Sequence, residues 1–149
     1  MADIRFYTLN AAGGIARFRH ACMLAEQAYL AGERVLVWLE GAGAMEKFDQ
    51  LLWTFSDRAF VPHEPLGADP DSSEAPVQLF DGPALDAATA AGFTTLLNLR
   101  DAPAREALGF SHVIEVLDGD AACREAGRTR FRFYREAGAT PRHIAVSNE

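Results

Sequence analysis

Cysteine is scarce in this chain: Cys22 and Cys123 are the only two, they form no CxxC pair, and no histidine set lies near either. They read as reduced, partly buried thiols of a cytoplasmic protein, not as a disulfide framework or a metal site. No apolar run approaches the ~20 residues that span a bilayer, and the N-terminal MADIRFYTLN is not built as a signal peptide. There is no GxxxxGK[ST] phosphate loop and no complete GxGxxG. His20, His63, His112 and His143 are scattered, which offers no metal ligand set. Ser111-His112 is adjacency in sequence, without the orienting acid that a nucleophile and base require. Lysine is almost missing too, with Lys47 alone, so arginine in place of lysine is the usage of the whole chain and says nothing about a site.

What the chain does hold is a sharp charge asymmetry. Fourteen Lys and Arg face twenty-one Asp and Glu, a net charge of −7. That balance excludes coating of DNA by the whole surface. Yet six of the fourteen cations fall between Arg124 and Arg142, opposed there by only Glu125 and Glu136. At about 100° per residue, Arg124, Arg128, Arg132 and Arg135 gather within roughly a quarter turn of a helix, with Phe131 on the same arc. Ala122, Ala126, Phe133 and Ala137 are expected to form the packed side, with Arg130 and Tyr134 on the flank. Guanidinium forks around an aromatic ring suit a ligand that is at once anionic and apolar. A charged helix face is often merely solvated; clustering without acidic partners, with Phe131 in its middle, argues for function.

At 149 residues, 49% of them hydrophobic, the chain fits one globular domain over 1–149, with a polar tail from about 139. Ile4–Leu9 reads as a strand, Ile15–Ala31 as a helix stopped by Gly32, and Arg34–Leu39 as a strand buried on both faces. A second helix follows Gly41–Ala44 and turns Met45, Phe48, Leu52 and Phe55 to the core. Phe60–Pro76, rich in Pro, Gly, Asp and Ser, reads as a loop. Val77–Phe80, Thr94–Leu99 and Val113–Leu117 are further strands, with a short helical stretch at Ala104–Leu108 and the basic helix over Ala121–Ala137. The alternation predicts a three-layer α/β fold: a mainly parallel or mixed central sheet with helices on both faces. Gly13-Gly14 and Gly41-Ala-Gly43 lie where a nucleotide loop would, but read as tight turns. Asp118 and Asp120 are expected to serve the turn and the N-cap of the basic helix.

Several blocks are familiar in this order: Phe6-Tyr7-x-Leu9, Gly32-x-Arg34-Val35-Leu36, Leu51-Leu52-Trp53 and Phe60-Val61-Pro62-His63. Asn98-Leu99, Phe110-x-x-Val113-x-Glu115-Val116, Ala126-x-Arg128-x-Arg130 and Tyr134-x-x-x-Gly138 follow. Together they resemble the chi subunit of bacterial DNA polymerase III holoenzyme over nearly the whole length. The resemblance implies a non-catalytic adaptor with a nucleotide-binding-like fold, no working nucleotide site and no cofactor. It implies attachment to the clamp loader through psi or another of its components. It also implies capture of the acidic C-terminal tail of single-stranded DNA-binding protein, which ends in aspartates, a proline and a phenylalanine. Nucleic acid is then reached only indirectly, and no membrane is involved. Carried over, Arg128 is the main tail-contacting residue, with Arg124, Arg132, Arg135 and Phe131 around it; Phe131 stands where tyrosine is usual. Trp53, Phe60, Val61 and Pro62 match the psi-facing region. The alternatives are direct binding of single-stranded nucleic acid by the arginine helix and a small nucleotide-dependent enzyme built on the glycine loops.

Overall fold

The structure, a computed structural model, describes residues 2–58, 60–66 and 75–146. Its frame is one seven-stranded sheet in the order β3-β4-β2-β5-β6-β1-β7. The strands are β1 (Asp3–Thr8), β2 (Val35–Trp38), β3 (His63–Pro65), β4 (Val77–Phe80), β5 (Thr95–Asn98), β6 (His112–Leu117) and β7 (Arg142–Ala145). All pairings are parallel. Parallel neighbours need crossovers that lay helices on the sheet faces. α1 (Gly14–Leu30) and α2 (Gly41–Thr54) cover one face, and α4 (Ala121–Glu136) covers the other. A one-turn α3 (Ala87–Ala90) and a 3-10 turn over Arg105–Gly109 complete the connections. The three-layer α/β expectation is met, with a sheet that is wholly parallel.

Side chains alternate along each strand and so feed two cores. Val35, Val37 and Leu39 of the β2 run join Phe48, Leu52, Cys22 and Ala25 under α1 and α2. Leu36 and Trp38 join Phe6, Leu96, Val113 and Tyr134 under α4. All four residues of β2 are fully buried, as its unbroken apolar sequence predicts. α1 ends where Gly32 takes φ 86°. There the Gly32 amide donates to the Tyr29 carbonyl and the Glu33 amide to that of Ala28, which satisfies the last turn. α4 ends the same way: Gly138 at φ 98° donates to Arg135, and Ala139 donates to Tyr134. The Tyr134-x-x-x-Gly138 spacing is therefore the distance from a residue in the last helical turn to its left-handed stop.

Two strands depart from the sequence reading. His63–Pro65, inside the segment expected to be loop, pairs with β4 as the edge strand β3. The expected polar tail begins with β7, which pairs with β1 from Arg142 to Ala145. Both are short and polar, and both hold their conformation through ladder bonds to a buried neighbour, not through a hydrophobic pattern of their own. Residues 67–74 of the predicted loop and 147–149 of the tail lie outside the described residues.

Candidate functional site

α4 sits on the sheet through Gly127, Arg130 and Tyr134, which are its buried residues. This corrects the expected packing side. Ala122 and Ala137 are exposed, Ala126 and Phe133 only half-buried, and the buried stripe is rotated by roughly a quarter turn from the one that polarity suggested. The cause is Glu115, a carboxylate buried on β6. Its Oε1 accepts a hydrogen bond from Arg130 Nε at 2.8 Å, while Oε2 accepts from Asn98 Nδ2 at 2.9 Å and Tyr134 Oη at 2.6 Å. Arg130 Nη1 donates to the Asp101 carbonyl at 2.9 Å. Burial first, then the charge of Glu115 and its hydrogen bond, hold the Tyr134 phenol well above its ordinary range, so the hydroxyl stays a donor. Buried charge persists only when paired and hydrogen-bonded. Arg130 is thus a structural cation, not a flank residue. The Asn98, Glu115, Arg130 and Tyr134 of the sequence blocks form one network.

With Arg130 turned inward, the remaining arginines divide. Arg124 is half-buried and tied down: Nη2 donates to the Leu9 carbonyl at 2.7 Å and Nε to that of Asp118 at 3.0 Å. It stands as a fixed positive charge at the start of the helix. Arg128 is exposed, and its Nη1 lies 2.9 Å from Glu125 Oε1 one turn back, so the acidic neighbour does pair with it. Both side chains are at least 65% exposed, and such a pair holds by at most about 1 kcal/mol. Arg132 and Arg135 are exposed. Phe131 is half-buried, not presented as a free ring, and its centroid lies 5.1 Å from that of Phe6 on β1.

These side chains border two adjoining depressions. One, of about 300 Å³, is bounded by Arg124, Gly127, Arg128 and Phe131 of α4 and by Phe6, Thr8, Leu117 and His143 of the sheet. The other, of about 550 Å³, is lined by Arg128, Phe131, Arg132, Arg135 and Glu136. Gly127 keeps α4 low over the sheet: a Cβ there would come within 2.5 Å of the Leu117 side chain. The result is an apolar floor of Phe6, Phe131 and Leu117 under a rim of guanidinium groups. It can seat a hydrophobic group while its charges are paired above. The structure gathers Arg124, Arg128, Phe131, Arg132 and Arg135 into this one area. Phe6, Thr8, Leu117, Gly127 and His143 were not among the site residues expected from the sequence; the packing of α4 and β7 on the sheet brings them in.

A second area lies at the end of α2. Trp53 and Phe60 are 54% and 64% exposed, although large aromatics usually hide in cores. Their rings sit 5.9 Å apart, and Trp53 also packs at 4.6 Å on His63. His63 is itself held by the Val61 carbonyl at 2.6 Å, and its Nε2 lies 3.0 Å from Asp49 Oδ1. Pro62 is half-buried beside them. Val61 points the other way, 1% exposed in the core under α1 and α2, so it anchors the patch from beneath.

At two of the strand ends, where α/β sheets take nucleotides, the chain itself crosses the crevice. Between β1 and β6, Asp120 Oδ2 accepts from the Gly13 amide at 3.2 Å, and the Gly119 amide donates to the Ala11 carbonyl at 2.9 Å. A Cβ on Gly119 would meet the Asn10 carbonyl oxygen at 2.5 Å. Asp120 takes the N-cap position as expected but spends its carboxylate on this cross-link, making no side-chain cap bond. Asp118 serves the turn, accepting from the Asp120 amide at 2.8 Å. Between β2 and β5, Glu40 accepts from the Asp101 amide at 3.0 Å, and Arg100 lies over Trp38. Carboxylates therefore sit where a phosphate would need amides and cations. Among the described residues no group of His, Cys, Asp or Glu is gathered to hold a metal, and no helix is long and apolar enough to cross a membrane.

Comparison with known proteins gives these features a family. The family model described as "DNA polymerase III chi subunit, HolC" matches residues 1–142. The DNA polymerase III subunit chi of Pseudomonas aeruginosa is 34% identical over 138 residues, spanning 93% of this chain and 92% of that protein. The corresponding subunit of Escherichia coli is 28% identical over 117 residues, spanning 78% and 77%. The chain belongs to the DNA polymerase III chi family, accessory subunits of the replicative polymerase and not its catalytic one.

Proposed function

We propose that this chain is a cytoplasmic adaptor of the polymerase holoenzyme that holds the acidic C-terminal tail of single-stranded DNA-binding protein in the groove beside α4. The observation that carries this reading is the Phe6–Phe131 floor beneath the exposed guanidinium of Arg128. Arg128 pairs with the tail's terminal carboxylate, leaving its weak partner Glu125. Arg124, immobilised by two carbonyls, and the free-standing Arg132 and Arg135 draw the tail's aspartates. The terminal phenylalanine settles on Phe131 and Phe6. Capture of a short acidic motif by clustered arginine is a general recognition mode. Affinity on the order of micromolar is expected, because few groups are buried and a flexible tail is ordered. It should fall with salt as the charges are screened. Stacking of nucleic-acid bases is a poorer fit, since one half-buried ring makes a short platform and the net charge of −7 repels a longer strand.

The opposite task, attachment to the clamp loader through psi or an equivalent component, fits the exposed Trp53–Phe60 pair with Pro62 beside it. Val61 supports that surface without touching a partner. Aromatic pairs at this exposure are characteristic anchors of protein interfaces. The tail assignment is tested by titrating a fluorescent tail peptide into wild type and Arg128→Ala; equal binding by both would sink it. For the second surface, Phe60→Ala should fold normally yet lose co-purification with the clamp loader. Undiminished co-purification would remove that surface from the account.

A further inference from the structure

The groove beside α4 has a second wall, contributed by β7. In the parallel register His143 lies beside Phe6, which puts its ring on the face of the sheet that α4 covers. Its Nε2 is 2.8 Å from Thr8 Oγ1, and both residues border the same depression as Arg124, Arg128 and Phe131. The imidazole is exposed, across the apolar floor from the guanidinium rim. An anion seated on that floor would therefore have cationic donors on α4 to one side and an imidazole on the other. The charged groups facing His143 from α4 are Arg124 and Arg128, the latter paired with Glu125; from β1 it meets only the neutral Thr8. The Asp3–Arg5–Arg142 cluster lies on the opposite face of the sheet by register.

We infer that His143 is a further tail-binding residue, donating a hydrogen bond to a carboxylate of the acidic segment from the side opposite Arg128. This rests on the reading of the α4 groove as the tail site.

The test is a fluorescence-anisotropy titration of an acidic peptide ending in phenylalanine into wild type, Arg128→Ala, His143→Ala and His143→Gln. His143 is exposed, so melting temperatures of its variants should match wild type. His143→Ala should weaken binding about three- to tenfold. His143→Gln, which keeps a donor, should recover part of the loss. If Arg128→Ala abolishes binding while both His143 variants match wild type, the role of His143 is refuted and the groove reading stands. If Arg128→Ala binds like wild type, the groove reading falls and this inference with it.

Discussion

Replacing Arg130 with methionine removes a charge that no solvent reaches, from a helix whose Arg128, Arg132 and Arg135 are exposed. Glu115 would then stay buried with Asn98 and Tyr134 as its only donors, and the Asp101 carbonyl would lose its partner. Breaking one side of a buried ion pair costs about 3–5 kcal/mol, which in a chain of this size lowers the melting point by on the order of 10 °C. Arg132, two residues on and exposed, gives the internal control: Arg132→Ala should stay within about 0.5 kcal/mol of wild type. Tyr134→Phe removes one hydrogen bond to a charged group, about 1.5–3 kcal/mol. Pairing Arg130→Met with Glu115→Leu should recover only part of the loss, because Asn98 and Tyr134 are left without their acceptor. Urea denaturation with a common slope measures all four. An Arg130→Met chain that is no less stable than Arg132→Ala would refute the buried network.

Three further outcomes follow from individual contacts. Glu125→Gln frees Arg128 from its exposed partner and removes a negative charge from the rim, so tail affinity should rise by up to about fivefold; unchanged or weaker binding in a peptide titration would count against Arg128 as the anchor. Burial lowers the His20 pKa from its ordinary value of 6.5, so the fold prefers the neutral ring. That stability is fully present above the ordinary value and is lost as pH falls through the lowered one. Melting temperature should accordingly drop on acidification below about pH 6.5, and less steeply in His20→Gln; superimposable curves would remove this assignment. Burial pushes the Cys22 thiol up to about 12, against the opposing charge of Arg19. Mass spectrometry after alkylation at pH 8 should find Cys22 unmodified until the chain is unfolded, and rapid native labelling would contradict its packing.

The parts of the fold that were legible in the sequence are those whose own pattern matches their final environment. Val35–Trp38 is apolar on both faces because it lies between two cores. α1 and α2 show their buried stripes through Cys22, Ala25, Phe48 and Leu52. β3 and β7 carry no such pattern: His63–Pro65 and Arg142–Ala145 are edge strands, set by neighbours far away in sequence. α4 misled for a physical reason. Apolarity points to Ala122, Ala126, Phe133 and Ala137, but a buried carboxylate on β6 outweighs them and turns Arg130 inward. The signal was present in Glu115 itself, an acid embedded in the strand His112–Leu117, which cannot be buried without a cation and donors close by. Of the groove, the α4 rim could be read from helical spacing. The floor from Phe6, Thr8 and Leu117 and the wall from His143 needed the β1–β7 and α4–β6 packing.

The central claim is that the α4 groove binds an acidic peptide tail. It is tested most directly by titrating a labelled C-terminal peptide of single-stranded DNA-binding protein and a labelled single-stranded oligonucleotide, in parallel, into wild type and Arg128→Ala at low and high salt. The account predicts micromolar, salt-sensitive peptide binding that Arg128→Ala abolishes, with little binding of the oligonucleotide. Oligonucleotide binding without peptide binding would contradict it and make the arginine rim a nucleic-acid contact.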